Sequence, residues 1–430
     1  MFKRFCSQSG LLIILSILLT CNCQSAIGAE LISSNKQRDA MPSISETEFQ
    51  SQIDGNSQFA FDLYSRLKDV EEGNIFFSPF SISTALAMTY EGARGNTETQ
   101  MTDVLHYINP KASTHKAFNR LDLSLSEQMK SKKGDAAFKL ETANSIWAQR
   151  DYRWLPEFLD AMKINYGAGI YSVDFQNETE KSRLEINKWV EDKTHDKIKE
   201  LLKPGIITPL TYMVLVNAIY FYGKWMHEFD KKATQDDDFT KLDGSKTQIP
   251  FMHQEAESSY MENELFQALE MSYKDCDLAM LVLLPPIDKF NELESKLDSA
   301  MLKDVIDNLQ ENQVRVTFPK MKMENQFDLV KTLSEMGMPD AFAGGIADFS
   351  GMDGTKELFI MHVIHKAYVA IDEKGTEAAA ATAVVMGKAM APAPPQYIEF
   401  KADHPFIFLI RDRKTNCVLF AGRVLNPNRE

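Results

Sequence analysis

Two histidines three residues apart, His362 and His365 in "HVIH", are the nearest approach in this chain to a metal-chelating pair. They fall in "MHVIHKAYVAIDE" (361–373), a run of strand type, and residues three apart on a strand point to opposite faces. They cannot share one ion, so one is expected buried and hydrogen-bonded and the other at an edge. The acidic triplet Asp236, Asp237 and Asp238 fits an exposed loop better than a pair of catalytic carboxylates. No G-x-S-x-G elbow, H-E-x-x-H, G-x-x-x-x-G-K-[ST] or G-x-G-x-x-G occurs, so nothing positive supports hydrolytic, phosphate-binding or dinucleotide chemistry. Neither a metal nor a cofactor is expected.

The informative stretch is chemically bland: "EKGTEAAAATAVVMGKAMAPAPP", residues 373–395. Read as a strand from Thr376, one face carries Thr376, Ala378, Ala380, Thr382, Val384 and Met386, all small or apolar. The other carries Glu377, Ala379, Ala381, Ala383, Val385 and Gly387, with one charge that water can take. Such a limb could become a central strand, which tolerates neither proline nor an unpaired inward charge. Pro392, Pro394 and Pro395 cannot donate ladder hydrogen bonds, so the limb must end before them. About a dozen residues at ~3.3 Å each would span on the order of 40 Å as a strand. The bland alternative is an alanine-rich surface loop that joins no sheet.

The elements that would hold this limb are legible upstream. "NSQFAFDLYSRL" (56–67) places Phe59, Leu63 and Leu67 on one helical face. "SPFSISTALAMTYEGA" (78–93) opens on a capping serine followed by proline at the first helical position. "SRLEINKWVEDKTHDKIKELL" (182–202) reads as a charged amphipathic helix, and the basic clusters at 130–134 and 197–203 as solvated helix faces. Strand-like runs follow at 211–225, 277–286, 314–323, 361–373, 404–412 and 417–427. Several are apolar on both faces, as in sheets sandwiched between layers. The class is α+β: helices first, then large sheets.

The 430-residue chain has 44% hydrophobic and 25% charged residues, enough for a sizeable core. Residues 1–29 read as a secretory signal, with Lys3 and Arg4 ahead of an apolar run too short to span a bilayer. Cleavage after Ala29 or Ala26 is expected; Cys21 alternatively resembles a bacterial lipoprotein site. The mature chain is therefore expected to be secreted, or periplasmic or lipid-anchored if bacterial. Losing residues 1–29 takes the net charge from −14 to −16, which disfavours nucleic acid as a partner. Residues 30–52 are expected as a flexible lead-in, and one domain spans 53–430. Cys276 and Cys417 are expected free and buried, with one bridge between them left open.

From about residue 56 the chain carries in turn "NIFFSPFSISTALAMTYEGARGNTETQM" (74–101), "ANSIWAQ" (143–149), "VLVNAIYFYGKW" (214–225), "ADFSGM" (347–352), "HKAYVAIDEKGTEAAAATA" (365–383), "ADHPFIFLIRD" (402–412) and "LFAGRVLNP" (419–427). In type and order these motifs resemble the serpin family of protease inhibitors over almost all of that length. The resemblance implies a serpin fold of three β-sheets with about nine helices and an exposed reactive-centre loop at about 373–398. It also implies a monomer that is metastable and is not an enzyme. A target serine or cysteine protease would cleave the loop as bait, and the freed limb would insert into the main sheet and trap the acyl-enzyme. Non-inhibitory relatives, which carry a ligand or partner, are the alternative.

Carried onto this sequence, the hinge comprises Glu373, Gly375, Thr376, Glu377, Ala378, Ala380 and Thr382. A shutter would involve Ser78, Ser81, Asn217 and His365, with Trp225 at the breach where the limb first enters. Family spacing puts the scissile bond at Ala389–Met390, which suits an elastase-like target. Lys388 would instead suit a trypsin-like pocket, Met386 an elastase- or chymotrypsin-like one, and subtilisin-like enzymes belong in the same panel. Asn177-Glu178-Thr179 is a glycosylation acceptor only in a eukaryotic source.

Overall fold

The computed structural model describes residues 28–129, 138–376 and 396–428. The leader up to residue 27, the basic cluster at 130–134 and positions 377–395 lie outside these residues.

Ten α-helices occur among the described residues. In the first half they are α1 (Glu46–Val70), α2 (Pro79–Tyr90), α3 (Gly95–Val104), α4 (Lys111–Met129), α5 (Pro156–Tyr166) and α6 (Thr179–Lys193). Four short ones follow: α7 (Phe290–Lys296), α8 (Ser299–Asn308), α9 (Val330–Met336) and α10 (Ser350–Asp353). The long α1 starts on a capping box, in which Ser45 and Glu48 satisfy each other's backbone N–H groups. It buries Phe59, Leu63 and Leu67 as the sequence pattern requires. Ser78 caps α2, Pro79 fills its first turn, and the whole helix is buried. The helix read over 182–202 stops at Lys193: Thr194 turns inward, and His195, Asp196 and Glu200 adopt positive φ.

Seven strands form the sheet that holds the hinge, in the order β1 (Glu30–Ile32), β4 (Ile170–Val173), β3 (Phe138–Gln149), β5 (Met213–Lys224), β13 (Gly375–Thr376), β12 (His362–Asp372) and β11 (Met321–Asp328). A second, nine-stranded ladder runs β14 (Ile398–Lys401), β10 (Gln310–Pro319), β7 (Lys246–Glu262), β8 (Gln267–Ser272), β9 (Leu278–Leu284), β15 (Phe406–Asp412), β16 (Val418–Val424) and β2 (Ile75–Phe77). Strand β6 (Gln235–Thr240) pairs with β7 off this path. The expected three sheets thus appear as two hydrogen-bonded ladders, because β7 runs for 17 residues through what would otherwise be two sheets.

Strand β5 is buried on both faces, which explains its uninterrupted apolar run. Val214, Val216 and Ala218 face a cluster with α6 that includes Ile186, Val190, Leu201 and Leu202. Met213, Leu215, Ile219 and Phe221 face the main core, shared with α1, α2 and the nine-stranded sheet. That period of two decides which way an inserted residue would point.

Two expectations are corrected. Residues 30–52 do not form a flexible lead-in: Glu30–Ile32 extends the sheet edge as β1 on β4, and α1 begins at Glu46. Between them, Arg38 bonds Asn119 and Asp122 of α4, and the Asp39 N–H reaches the Ile164 carbonyl of α5. The Asp236–Asp238 triplet is not a loop but part of edge strand β6, where Lys246 and Lys401 partner Asp238 and Asp237. No helix among the described residues is long and apolar enough to cross a membrane.

Candidate functional site: the seam of the seven-stranded sheet

Strands β5 and β12 are direct parallel neighbours from Val214–His362 up to Tyr220–Tyr368. Beyond that point they part. The chain leaves β12, turns at Glu373 and Lys374, and comes back as β13 between them. Gly375 sits opposite Lys224, and Thr376 lies between Gly223 and Ile371. The seam is closed over its lower part and wedged open at its top.

Local packing fixes the wedge. A Cβ on Gly375 would lie 1.9 Å from the Gly223 carbonyl oxygen, so only glycine passes there. Thr376 is fully buried, with its hydroxyl 2.9 Å from that of Tyr273. Trp225 donates its indole N–H to the Asp372 carbonyl at 3.0 Å and its backbone N–H to the Lys374 carbonyl at 2.9 Å. Glu373 is buried and accepts from Lys320 and from Thr234, each at 2.9 Å. Burial alone would raise its carboxyl, but the hydrogen bonds from Lys320, its own backbone and Thr234 outweigh burial and hold it below the usual range.

Lower in the seam lies a polar network under the sheet. Asn144, Asn217 and His365 stand at one level on β3, β5 and β12. His365 Nε2 accepts from the Ser78 backbone N–H at 3.1 Å, so the ring proton sits on Nδ1 and is donated to Asn217 Oδ1. The Asn217 amide then donates to Ser81 Oγ at 2.5 Å and to Asn144 Oδ1. Ser81 Oγ donates to Asn144 Oδ1 at 3.1 Å. Ser78 Oγ accepts from the Ser81 N–H as helix cap and donates to the Leu419 carbonyl at 2.6 Å. This chain of bonds ties α2, both sheets and both sides of the seam together.

The structure therefore brings together Ser78, Ser81, Asn217 and His365, and separately Trp225, Glu373, Gly375 and Thr376. Glu377, Ala378, Ala380, Thr382, Met386, Lys388, Ala389 and Met390 lie outside the described residues. Sequence reasoning missed Asn144, although it stands in the quoted "ANSIWAQ", and it missed Tyr273, Lys320 and Thr234, which no local pattern marks. It also expected residues from 373 onward as an exposed loop. Residues 373–376 instead form a seated hairpin, because Gly375 and Thr376 pair with both neighbouring strands. His362 lies across the strand from His365, with Nδ1 2.7 Å from Asp328, as the opposite-face reading requires. Cys276 and Cys417 are free thiols; Cys417 is buried and Cys276 only partly so.

His365 gives a pH prediction. Burial pushes its imidazolium from the usual 6.5 down to about 3, and protonating Nε2 would break the bond from Ser78. Above pH ~6.5 the ring is neutral in the folded and unfolded chains alike. Below that, only the unfolded chain takes the proton until about pH 3, so stability is lost across this window. The loss on this account reaches a few kcal/mol. Measuring unfolding at pH 7, 5 and 4 should show a steeper decline for the wild type than for His365→Gln; parallel declines would remove His365 as the cause.

The site is thus a helix-backed sheet whose central seam is wedged open at its top by Gly375 and Thr376. The chain belongs to the serpin family: the family profile "Serpin (serine protease inhibitor)" matches residues 54–427. An uncharacterised serpin-like protein of Thermococcus kodakarensis is 41% identical over 377 residues, covering 87% of this chain and 85% of that protein. Leukocyte elastase inhibitor of Sus scrofa is 39% identical over 382 residues, covering 86% and 98%. Among solved structures, human thyroxine-binding globulin superposes with a TM-score of 0.79 at 31% identity, covering 89% of this chain and all of the other. The α+β serpin fold is what the resemblance implied, with ten helices among the described residues where about nine were expected, and two mixed ladders where three sheets were.

Proposed function

We propose that this protein is a suicide-type inhibitor of serine endopeptidases, with cysteine endopeptidases as further targets, and that it traps the acyl-enzyme by inserting its cleaved loop into the seam between β5 and β12. The observation that carries this reading is β13: the limb is already aimed down the seam, in antiparallel register with both walls. Thr376 points to the main core, so the alternate residues that follow it inherit the core face, and in sequence these are the small and apolar ones. The similarity to leukocyte elastase inhibitor supports the same reading, as does an elastase-type bait at Ala389–Met390. The leader reading makes the protein an exported one, acting on proteases outside the cell and as a monomer.

Thyroxine-binding globulin, similar in fold, by its name binds thyroxine, so the rival function is ligand binding without trapping. A panel of elastase-, trypsin- and subtilisin-like proteases separates the two. An SDS-stable complex should form with at least one enzyme. Mass spectrometry of the released C-terminal peptide should show a start at Met390, with Ala389 or Gly387 as the starts for cleavage after Lys388 or Met386. Cleavage by every enzyme with no stable complex would overturn inhibition and favour the carrier.

A further inference from the structure

Tyr273 lies just beyond β8, where it makes a single bridge to Trp225. Its ring is held on three sides. Trp225 stacks on it at 4.7 Å and 12°, Phe221 meets it edge-on at 5.0 Å, and Gly223 lies so close that a Cβ there would approach the ring to 2.7 Å. The hydroxyl therefore has one place to be, 2.9 Å from Thr376 Oγ1, and both residues are fully buried. The tyrosine is preorganised, while the hinge is the part that can leave.

From this geometry we infer that Tyr273 is a positioning residue for inhibition: its hydroxyl holds Thr376 in the seam of the uncleaved protein. The inference rests on the inhibitory reading above and adds to it a resting state in which insertion has already begun. If the hinge withdrew, the Tyr273 hydroxyl would stay buried without this partner, and an unpaired buried polar group is costly. The seated hinge is thereby favoured before any protease arrives. The functional consequence follows from timing. Trapping is a race between insertion and deacylation, and the slowest step of adding a strand is placing its first residues. With Gly375 and Thr376 already paired on both sides, that step is complete when the bait is cut.

The test uses hydroxyl-only changes, which keep the packing. In Tyr273→Phe, Thr376 is left unpaired when seated; in Thr376→Val, Tyr273 is left unpaired whether the hinge is seated or not. Each single variant should raise hydrogen exchange at the hinge amides of Gly375 and Thr376 by at least about tenfold, and should raise the number of inhibitor molecules consumed per protease trapped. The double variant Tyr273→Phe/Thr376→Val removes both polar groups, so both readouts should be no worse than in Thr376→Val alone and milder than in Tyr273→Phe. A merely structural role would instead make the two changes add. Unchanged hinge exchange in Tyr273→Phe, or additive losses in the double variant, would overturn the inference. If the wild type traps no protease at all, the inhibitory reading fails, and the exchange measurement still decides whether Tyr273 holds the hinge.

Discussion

Thr376→Arg should turn the proposed inhibitor into a substrate: target proteases still cut the loop, but the SDS-stable complex falls by more than tenfold. Thr376 is fully buried, against Tyr273 and opposite Gly223. An arginine there would carry an unpartnered guanidinium into an aromatic box of Phe221, Trp225 and Tyr273. Burying such a charge costs several kcal/mol, and every ~1.4 kcal/mol added to the barrier slows insertion tenfold. The hinge would remain outside the seam, and the race would go to deacylation. Bait recognition lies more than ten residues downstream in sequence and should be untouched, so loop cleavage serves as the internal control. Thr376→Ser, which keeps the hydroxyl, should retain most of the complex. An undiminished complex in the arginine variant would contradict insertion through this seam.

What was legible in the sequence follows from where the information lies. The apolar runs of β5 and β12 announce strands covered on both faces, and the structure covers them. Ser78-Pro79 announces a helix start, and Ser78 caps α2. Of the alternation read from Thr376, only Thr376 itself falls among the described residues, and it is buried against Tyr273 on the core side. The misreadings have one physical cause, which is that the partners are remote in sequence. Residues 30–32, Glu-Leu-Ile, are too short an apolar run at the head of a polar segment to announce a strand, and only the edge of β4 makes them one. Asp236–Asp238 looks like a loop until Lys246 and Lys401 arrive from β7 and β14 to offset the charge. The seating of Gly375 and Thr376 depends on Lys224 and Gly223, some 150 residues earlier. Composition marked the hinge as compatible with a central strand, but not that Gly375 and Thr376 pair with β5 and β12.

Cutting the loop should raise the melting temperature by at least about 10 °C. The register of β13 extends without ambiguity: Thr376 lies opposite Gly223 in antiparallel sense, so each further limb residue falls opposite the preceding residue of β5. Continued in that register, Thr382 arrives level with Asn217 and Met386 level with Met213. Insertion must first separate β5 from β12 over Val214–Tyr220 and His362–Tyr368, which also breaks the bond from His365 to Asn217. Until the loop is cut, its downstream end remains joined to β14, and that connection restrains the limb from entering further. Once free, the limb replaces one parallel pairing with two antiparallel ones. About ten net hydrogen bonds at ~1 kcal/mol each give on the order of 10 kcal/mol. With an unfolding entropy of ~2.1 cal/mol/K per residue over roughly 375 residues, that corresponds to a rise of about 10–15 °C. Burial of the apolar limb side chains adds to it. Thr382 has a specific part in this, since it brings a hydroxyl to the level where His365 and Asn217 have lost each other. Thr382→Val should therefore still insert but gain less, by about the cost of one or two unpaired buried groups. The measurement is a pair of calorimetric scans on intact and nicked protein, with limited proteolysis to show whether the cut limb is protected. A nicked form that melts no later than the intact one, with its limb still open to proteolysis, would mean that the wedge at the top of the seam never propagates.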